Sequence, residues 1–211
     1  MSKKRDDKRG PNRFLRLINR IFCRGWHRLS HSEHLLPDGP VILVGNHICG
    51  LDPMLIQARV NRPLCFLMAR EYYQKMNWLR WGFDLVGAIA VSPGGANRHA
   101  LKEAIAAVKQ GNALCLFPEG AANPPIPLHR ILPGAARIAR ATGAAIVPFR
   151  VSGVWPFDHV HLAPSFYRRS RARVVVGEPF YLPQAVPGRE GDERDAAAIR
   201  HAIQSLSRHV S

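Results

Sequence analysis

With 211 residues, 46% of them hydrophobic, the chain is long enough to bury one substantial core and sits in the usual size range of a single domain. Its net charge of +15 points to an anionic partner: a lipid surface, a nucleic acid or an acidic carrier protein. No stretch reaches the roughly 18 to 20 uninterrupted apolar residues of a membrane-spanning helix. Nor does an apolar run with a small-residue cleavage site mark a signal peptide.

Residues 1–30 hold ten Lys or Arg against Asp6 and Asp7, so +8 of the charge lies in one seventh of the chain. Residues 1–11, charged and ending in Gly-Pro, read as a disordered basic tail. Residues 12–30 read as an amphipathic helix. At helical spacing Arg13, Arg16, Arg20, Arg24 and Arg28 share one sector about 120° wide, with Leu17 among them. Phe14, Ile18, Ile21, Phe22, Trp26 and Leu29 take the opposite side. This is the pattern of a helix lying on an anionic membrane through residues 12–29, arginines toward headgroups and aromatic and aliphatic groups toward the acyl boundary. The competing reading is a surface helix packing its apolar side on the core.

From residue 31 to 211 the chain reads as one domain. Short apolar runs at 41–44, 64–68, 88–91, 114–117, 146–151 and 173–176 alternate with helical segments at about 53–59, 71–84, 97–110, 134–142 and 193–209. A loop at 183–191 precedes the last helix. Such alternation predicts an α/β fold, a single domain with a largely parallel central sheet flanked by helices, plus the N-terminal helix. The four cysteines, Cys23, Cys49, Cys65 and Cys115, lie far apart with neither a CxxC pair nor zinc-ligand spacing, and read as reduced thiols of an intracellular protein.

Two stretches carry chemistry. In VILVGNHICGLDP a strand ends at Gly45 and releases Asn46 and His47, with Asp52 five positions after His47. Strand ends in α/β sheets expose reactive side chains on a rigid scaffold. A histidine there can take a proton from a hydroxyl while a carboxylate on its other nitrogen fixes the tautomer. Asp52 before Pro53 is equally a helix start, with Asp as N-cap, and His47 equally a buried structural histidine. In LCLFPEGAANPP a strand ending at Phe117 turns at Pro118 and exposes Glu119 and Gly120, either as a ligand-approaching loop or as an ordinary turn.

At these residues the chain resembles the glycerolipid acyltransferase family that includes the 1-acylglycerol-3-phosphate acyltransferases. Four blocks match in order: Asn46-His47-x4-Asp52, Gly87-Ala88-Ile89 leading to Arg98, Phe117-Pro118-Glu119-Gly120, and Ile146-Val147-Pro148. Connecting text at residues 133–139 and 176–179 also fits, and the similarity runs from about residue 35 to 182.

The resemblance implies acyl transfer from acyl-CoA or acyl carrier protein to a lysophospholipid hydroxyl, by default that of lysophosphatidic acid. It implies His47 as general base, Asp52 as its orienting partner, and Phe117 to Gly120 with Asn46, Arg98 and Arg130 around the acceptor. No metal, no redox cofactor and no cysteine nucleophile are implied, and Cys49 is a spacer.

The family's Thr-Arg-Ser after the third block is Ala121-Ala122-Asn123 here, Pro93 replaces an arginine, and Leu132 replaces a lysine. Phosphate recognition uses fixed cationic donors, so a phosphate-free acceptor such as an amino-acid lyso-lipid stays open, with Arg98, Arg130 and Arg137 as substitutes otherwise. The other classes are a non-catalytic lipid-binding protein and a basic nucleic-acid-binding protein. No zinc finger, RNA-recognition motif or helix-turn-helix accompanies the charge, and nucleic acid is not an expected partner. The expected place is the cytoplasmic face of a membrane, peripherally.

Overall fold

The computed structural model describes residues 10–69, 88–91, 98–120, 128, 131–155, 163–183 and 188–209. The basic tail before residue 10, the helix expected at 71–84 and Arg130 lie outside them.

Six strands form one sheet: β1 (Val41–Gly45), β2 (Leu64–Ala69), β3 (Ile89–Val91), β4 (Ala113–Leu116), β5 (Ala145–Ser152) and β6 (Arg173–Val176), in the order β3-β2-β4-β1-β5-β6. The first five run parallel, and β6 closes the edge antiparallel to β5. Parallel sheets are covered on both faces, which is why β1 and β4 are buried at every position. Side chains alternate between the two faces. Val41 and Leu43 join one core cluster with Leu55 and Ile56 of α2 (Asp52–Arg59). Ile42 and Val44 join the other, with residues of α3 (Arg98–Lys109), α4 (Gly134–Thr142) and α6 (Arg189–Ser205). The result is a helix–sheet–helix sandwich with β1 near its centre.

The ends follow local chemistry. α4 stops at Gly143, whose left-handed φ of 66° lets its N–H return to Ala139 O at 2.8 Å. α6 begins at Arg189, four residues before the expected 193, because Glu190 and Asp192 in its first turn suit the positive end of the helix dipole. It takes in the last residues of the stretch expected to be loop. Asp192 and Asp195 also pair with Arg137 and Arg140, tying α6 to α4. A short helix, α5 (Ala163–Tyr167), was not foreseen; a single turn has too few residues to display a period.

α1 (Arg13–Gly25) is capped by Asn12, whose side chain accepts from the Leu15 N–H at 2.9 Å. Its orientation departs from both expectations. Arg16 and Arg20 point inward and donate to Val60 O, Arg16 also to Asn61 O, just beyond the C-terminus of α2, where unpaired carbonyls carry partial negative charge. Arg24 donates to His31 O at 2.9 Å. The apolar residues divide: Phe22 packs on the core, whereas Phe14, Leu17, Ile18 and Ile21 face outward with 49–68% of their surfaces exposed. Leu17, out of place on the helical wheel, belongs to this outer strip. Three of the five arginines assigned to headgroups are thus engaged with backbone carbonyls instead. Among the described residues no helix is long and apolar enough to cross a membrane.

Candidate active site

β1 reaches its carboxyl end at Gly45, and the next two residues form the centre of the site. A Cβ on Gly45 would lie 2.5 Å from Cδ2 and Cζ of the buried Phe149 ring, so only glycine admits that ring beside the strand. Asn46 is buried and doubly bonded to one backbone residue: its Nδ2 donates to Val151 O at 3.0 Å, and its Oδ1 accepts from Val151 N at 2.7 Å. The amide therefore extends the β1–β5 pairing past the last strand residue and aims the loop that follows.

His47 Nδ1 lies 2.8 Å from Asp52 Oδ2. The same oxygen accepts the backbone N–H of Ile48 at 2.6 Å and of Cys49 at 2.9 Å, while the Cys49 thiol donates to Oδ1 at 3.5 Å. Asp52 has no exposed surface, so its carboxylate is held by these donors and by the amino end of α2. The alternative reading of Asp52 as N-cap does not hold: Leu51 occupies that position and no side chain caps the helix. Pro53 is the second residue of α2, one position later than an Asp52 N-cap would place it, and still within the first turn that tolerates proline.

The second motif closes over the histidine. β4 ends at Leu116, one residue before the expected Phe117, and that residue's ring stacks on the His47 imidazole with centroids 4.1 Å apart and planes 16° from parallel. Phe117 in turn meets Phe149 edge-on at 5.8 Å. Glu119 bridges two loops: one oxygen accepts the His47 backbone N–H at 2.9 Å and the other the Leu128 N–H at 2.7 Å. Gly120, at φ +77°, permits the turn, and Pro118 O accepts from Leu132 N at 2.8 Å. The two sequence motifs are thus one structural unit, in which Asn46, Phe117 and Glu119 all act on the position of His47.

A model of the family described as Acyltransferase matches residues 27–152, which cover the described elements from β1 through β5. The chain belongs to the acyltransferase family. It is 27% identical over 154 residues to a 1-acyl-sn-glycerol-3-phosphate acyltransferase of Borreliella burgdorferi, covering 63% of this chain and 59% of that protein. It is 26% identical over 140 residues to a probable enzyme of the same name from Mycoplasma pneumoniae, covering 63% of this chain and 52% of that one. The matched regions thus span between half and three fifths of the relatives' lengths. In fold it is similar to the crystal structure of the 1-acyl-sn-glycerophosphate acyltransferase PlsC from Thermotoga maritima, with a TM-score of 0.61, 23% identity, and coverage of 92% of this chain and 79% of that one.

Arg98 begins α3 and is exposed, and Arg137 is paired with Asp192 on α6. Leu132, in place of the family's lysine, reaches within contact of the Gly120 backbone, where a Cβ would meet its Cδ1 at 3.0 Å. All four cysteines are buried free thiols. Burial, with the Asp52 charge beside it, drives the Cys49 thiol far up from its ordinary value, so its role is that of a buried donor to Asp52. Among the described residues no three His, Cys, Asp or Glu side chains gather as a metal site requires. Sequence reading missed Phe149 and Val151 as supports of the site; the glycine ending β1 was the one visible sign of a close neighbour.

Proposed function

We propose that this acyltransferase moves a fatty acyl group from a thioester, acyl-CoA or acyl carrier protein, to the hydroxyl of a lysophospholipid, with lysophosphatidic acid as the default acceptor. The relatives' names support the acceptor class, and the His47–Asp52 pair supports the chemistry. Because Nδ1 faces Asp52, Nε2 is the nitrogen that takes the acceptor's hydroxyl proton. The freed oxygen bonds to the thioester carbonyl carbon. Collapse of the adduct breaks the carbon–sulfur bond, and the imidazolium returns its proton to the departing thiolate. Asp52, bonded to Nδ1, holds the ring in place and stabilises the imidazolium that forms.

A phosphate-free acceptor is favoured by one observation: Arg137, one of the cations available to replace the lost donors, is occupied by Asp192. The outward strip of Phe14, Leu17, Ile18 and Ile21 supports peripheral attachment to an anionic membrane, with insertion of apolar groups as the main contribution. Purified protein is to be given labelled acyl-CoA and acyl carrier protein with phosphate-bearing and phosphate-free lyso-lipids. His47→Ala and Asp52→Asn should each lower turnover by about 10²- to 10⁴-fold while leaving the fold intact. Full turnover in His47→Ala removes it as base. Absence of product from the parent chain with every acceptor assigns it to non-catalytic lipid binding.

A further inference from the structure

β5 leaves the sheet at Ser152, which pairs with Arg173 at the start of β6, and the Arg171 N–H donates to Gly153 O at 3.2 Å. The segment before β6 therefore lies at the carboxyl end of the parallel strands, the end that carries His47. β6 is two strands from β1, on the order of 10 Å across the sheet. At this edge Phe166 and Tyr167 are 58% and 66% exposed, Trp155 is 56% exposed, and Arg168, Arg169 and Arg171 are all exposed. The segment is also fastened to α1 and to the two residues that follow it. Phe166 meets Phe22 with centroids 5.4 Å apart, the Arg169 guanidinium lies 4.4 Å above the Trp26 ring, and Ser170 bonds His27 at 2.8 Å.

Large aromatics left in water beside exposed arginines are costly for a surface that meets only solvent, and an isolated charged patch would not need them. Together they match the water–lipid boundary, where aromatic rings sit at headgroup depth and arginines meet anionic phosphates. An acidic carrier protein would be attracted by the arginines but gives no account of two adjacent exposed rings.

We propose that Phe166, Tyr167, Arg168 and Arg171 form a second docking surface for an anionic bilayer, separate from the outer strip of α1, that turns the His47 edge of the sheet toward the membrane. The proposal rests on the acyl-transfer reading for its purpose, since a lipid acceptor would then reach His47 without crossing water. The attachment itself stands on the surface chemistry alone.

The test uses the full chain and vesicles of phosphatidylglycerol and phosphatidylcholine, with pure phosphatidylcholine for comparison. Arg168→Gln/Arg171→Gln should weaken binding to the anionic vesicles by about 25-fold, taking about fivefold per surface charge, and should leave binding to neutral vesicles unchanged. Phe166→Ser/Tyr167→Ser should weaken binding to both, and thermal melting establishes that each variant is folded. A single Arg168→Gln, on an exposed side chain, gives about a fivefold loss if either double variant fails to fold. Turnover of a water-dispersed short-chain acceptor with acyl-CoA should match the parent chain in every variant. Vesicle binding equal to the parent's in folded variants overturns the docking surface. So does an unchanged vesicle affinity with a lower rate from acyl carrier protein alone, which would give the arginines to that protein. If the parent chain shows no turnover at all, the acyl-transfer reading fails while the vesicle result still decides the docking surface.

Discussion

Glu119 separates two accounts of the second motif. As an acceptor-pocket residue it would touch substrate; as placed, its two oxygens hold the backbone N–H groups of His47 and Leu128. Glu119→Gln keeps the shape but exchanges one acceptor oxygen for an NH₂ group that confronts a backbone N–H. A charge-assisted bond is lost and a donor is left without an acceptor, at a cost of about 1–3 kcal/mol. For a chain of this length that corresponds to a fall in Tm of about 2–12 °C. If about 2 kcal/mol of the loss falls on His47 placement in the transition state, kcat drops about 30-fold. The assay is steady-state acyl transfer beside thermal melting. The expected result is a lower kcat and Tm, with KM for the acceptor within about twofold of the parent value, because no substrate contact has been touched. A raised acceptor KM with unchanged Tm and kcat would refute the positioning role and restore Glu119 to the pocket.

Gly45→Ala should lower Tm by about 2–12 °C through overpacking worth about 1–3 kcal/mol, since the new methyl meets a ring with no free space to enter. In a Phe149→Leu background the same change should cost measurably less, and equal costs in both backgrounds would discard the steric explanation. The Cys23 thiol, pushed up to about 12 by burial, stays neutral in the fold at pH values where the unfolded chain ionises from about 9. Stability from this group is complete below about pH 9 and is lost as pH rises toward 12, at about 1.4 kcal/mol per pH unit. Denaturant melts across pH 8–11 should therefore fall less steeply in Cys23→Ala; identical slopes would mean that the thiol ionises freely in the folded chain.

Strands between helices were legible because each is a short apolar run bounded by turn residues, and all six described strands fall within a residue of their expected ends. The length of α6 was not, since Arg189 to Asp192 carries no apolar period and owes its helical state to its charges and to α4. The orientation of α1 was hidden for another reason. Periodicity separates two faces of a helix but is silent on which one meets the protein. That choice was made by carbonyls at the end of α2, about 45 residues away, which arginines can satisfy and aliphatic side chains cannot.

The same distinction runs through the site. His47 and Asp52 were readable as a candidate pair because the carboxylate lies only five residues on, at the start of the helix that follows the His47 loop, although the same position also suited an N-cap. Asn46, Phe117 and Glu119 were readable as notable but not in their tasks, because the atoms they hold belong to Val151 and Phe149 of β5, to His47 itself and to Leu128. Each of those contacts fixes a direction for the imidazole: Asn46 the path of its backbone, Glu119 its N–H, Phe117 the plane of its ring, Asp52 its Nδ1. Four constraints on one side chain leave Nε2 with little orientational freedom. A general base gains most from such restriction, because the proton must be taken along a single line at the moment the carbon–oxygen bond forms. The motif spacing thus marks the pair proposed to react, while the precision of its placement comes from strands and loops the spacing does not mention.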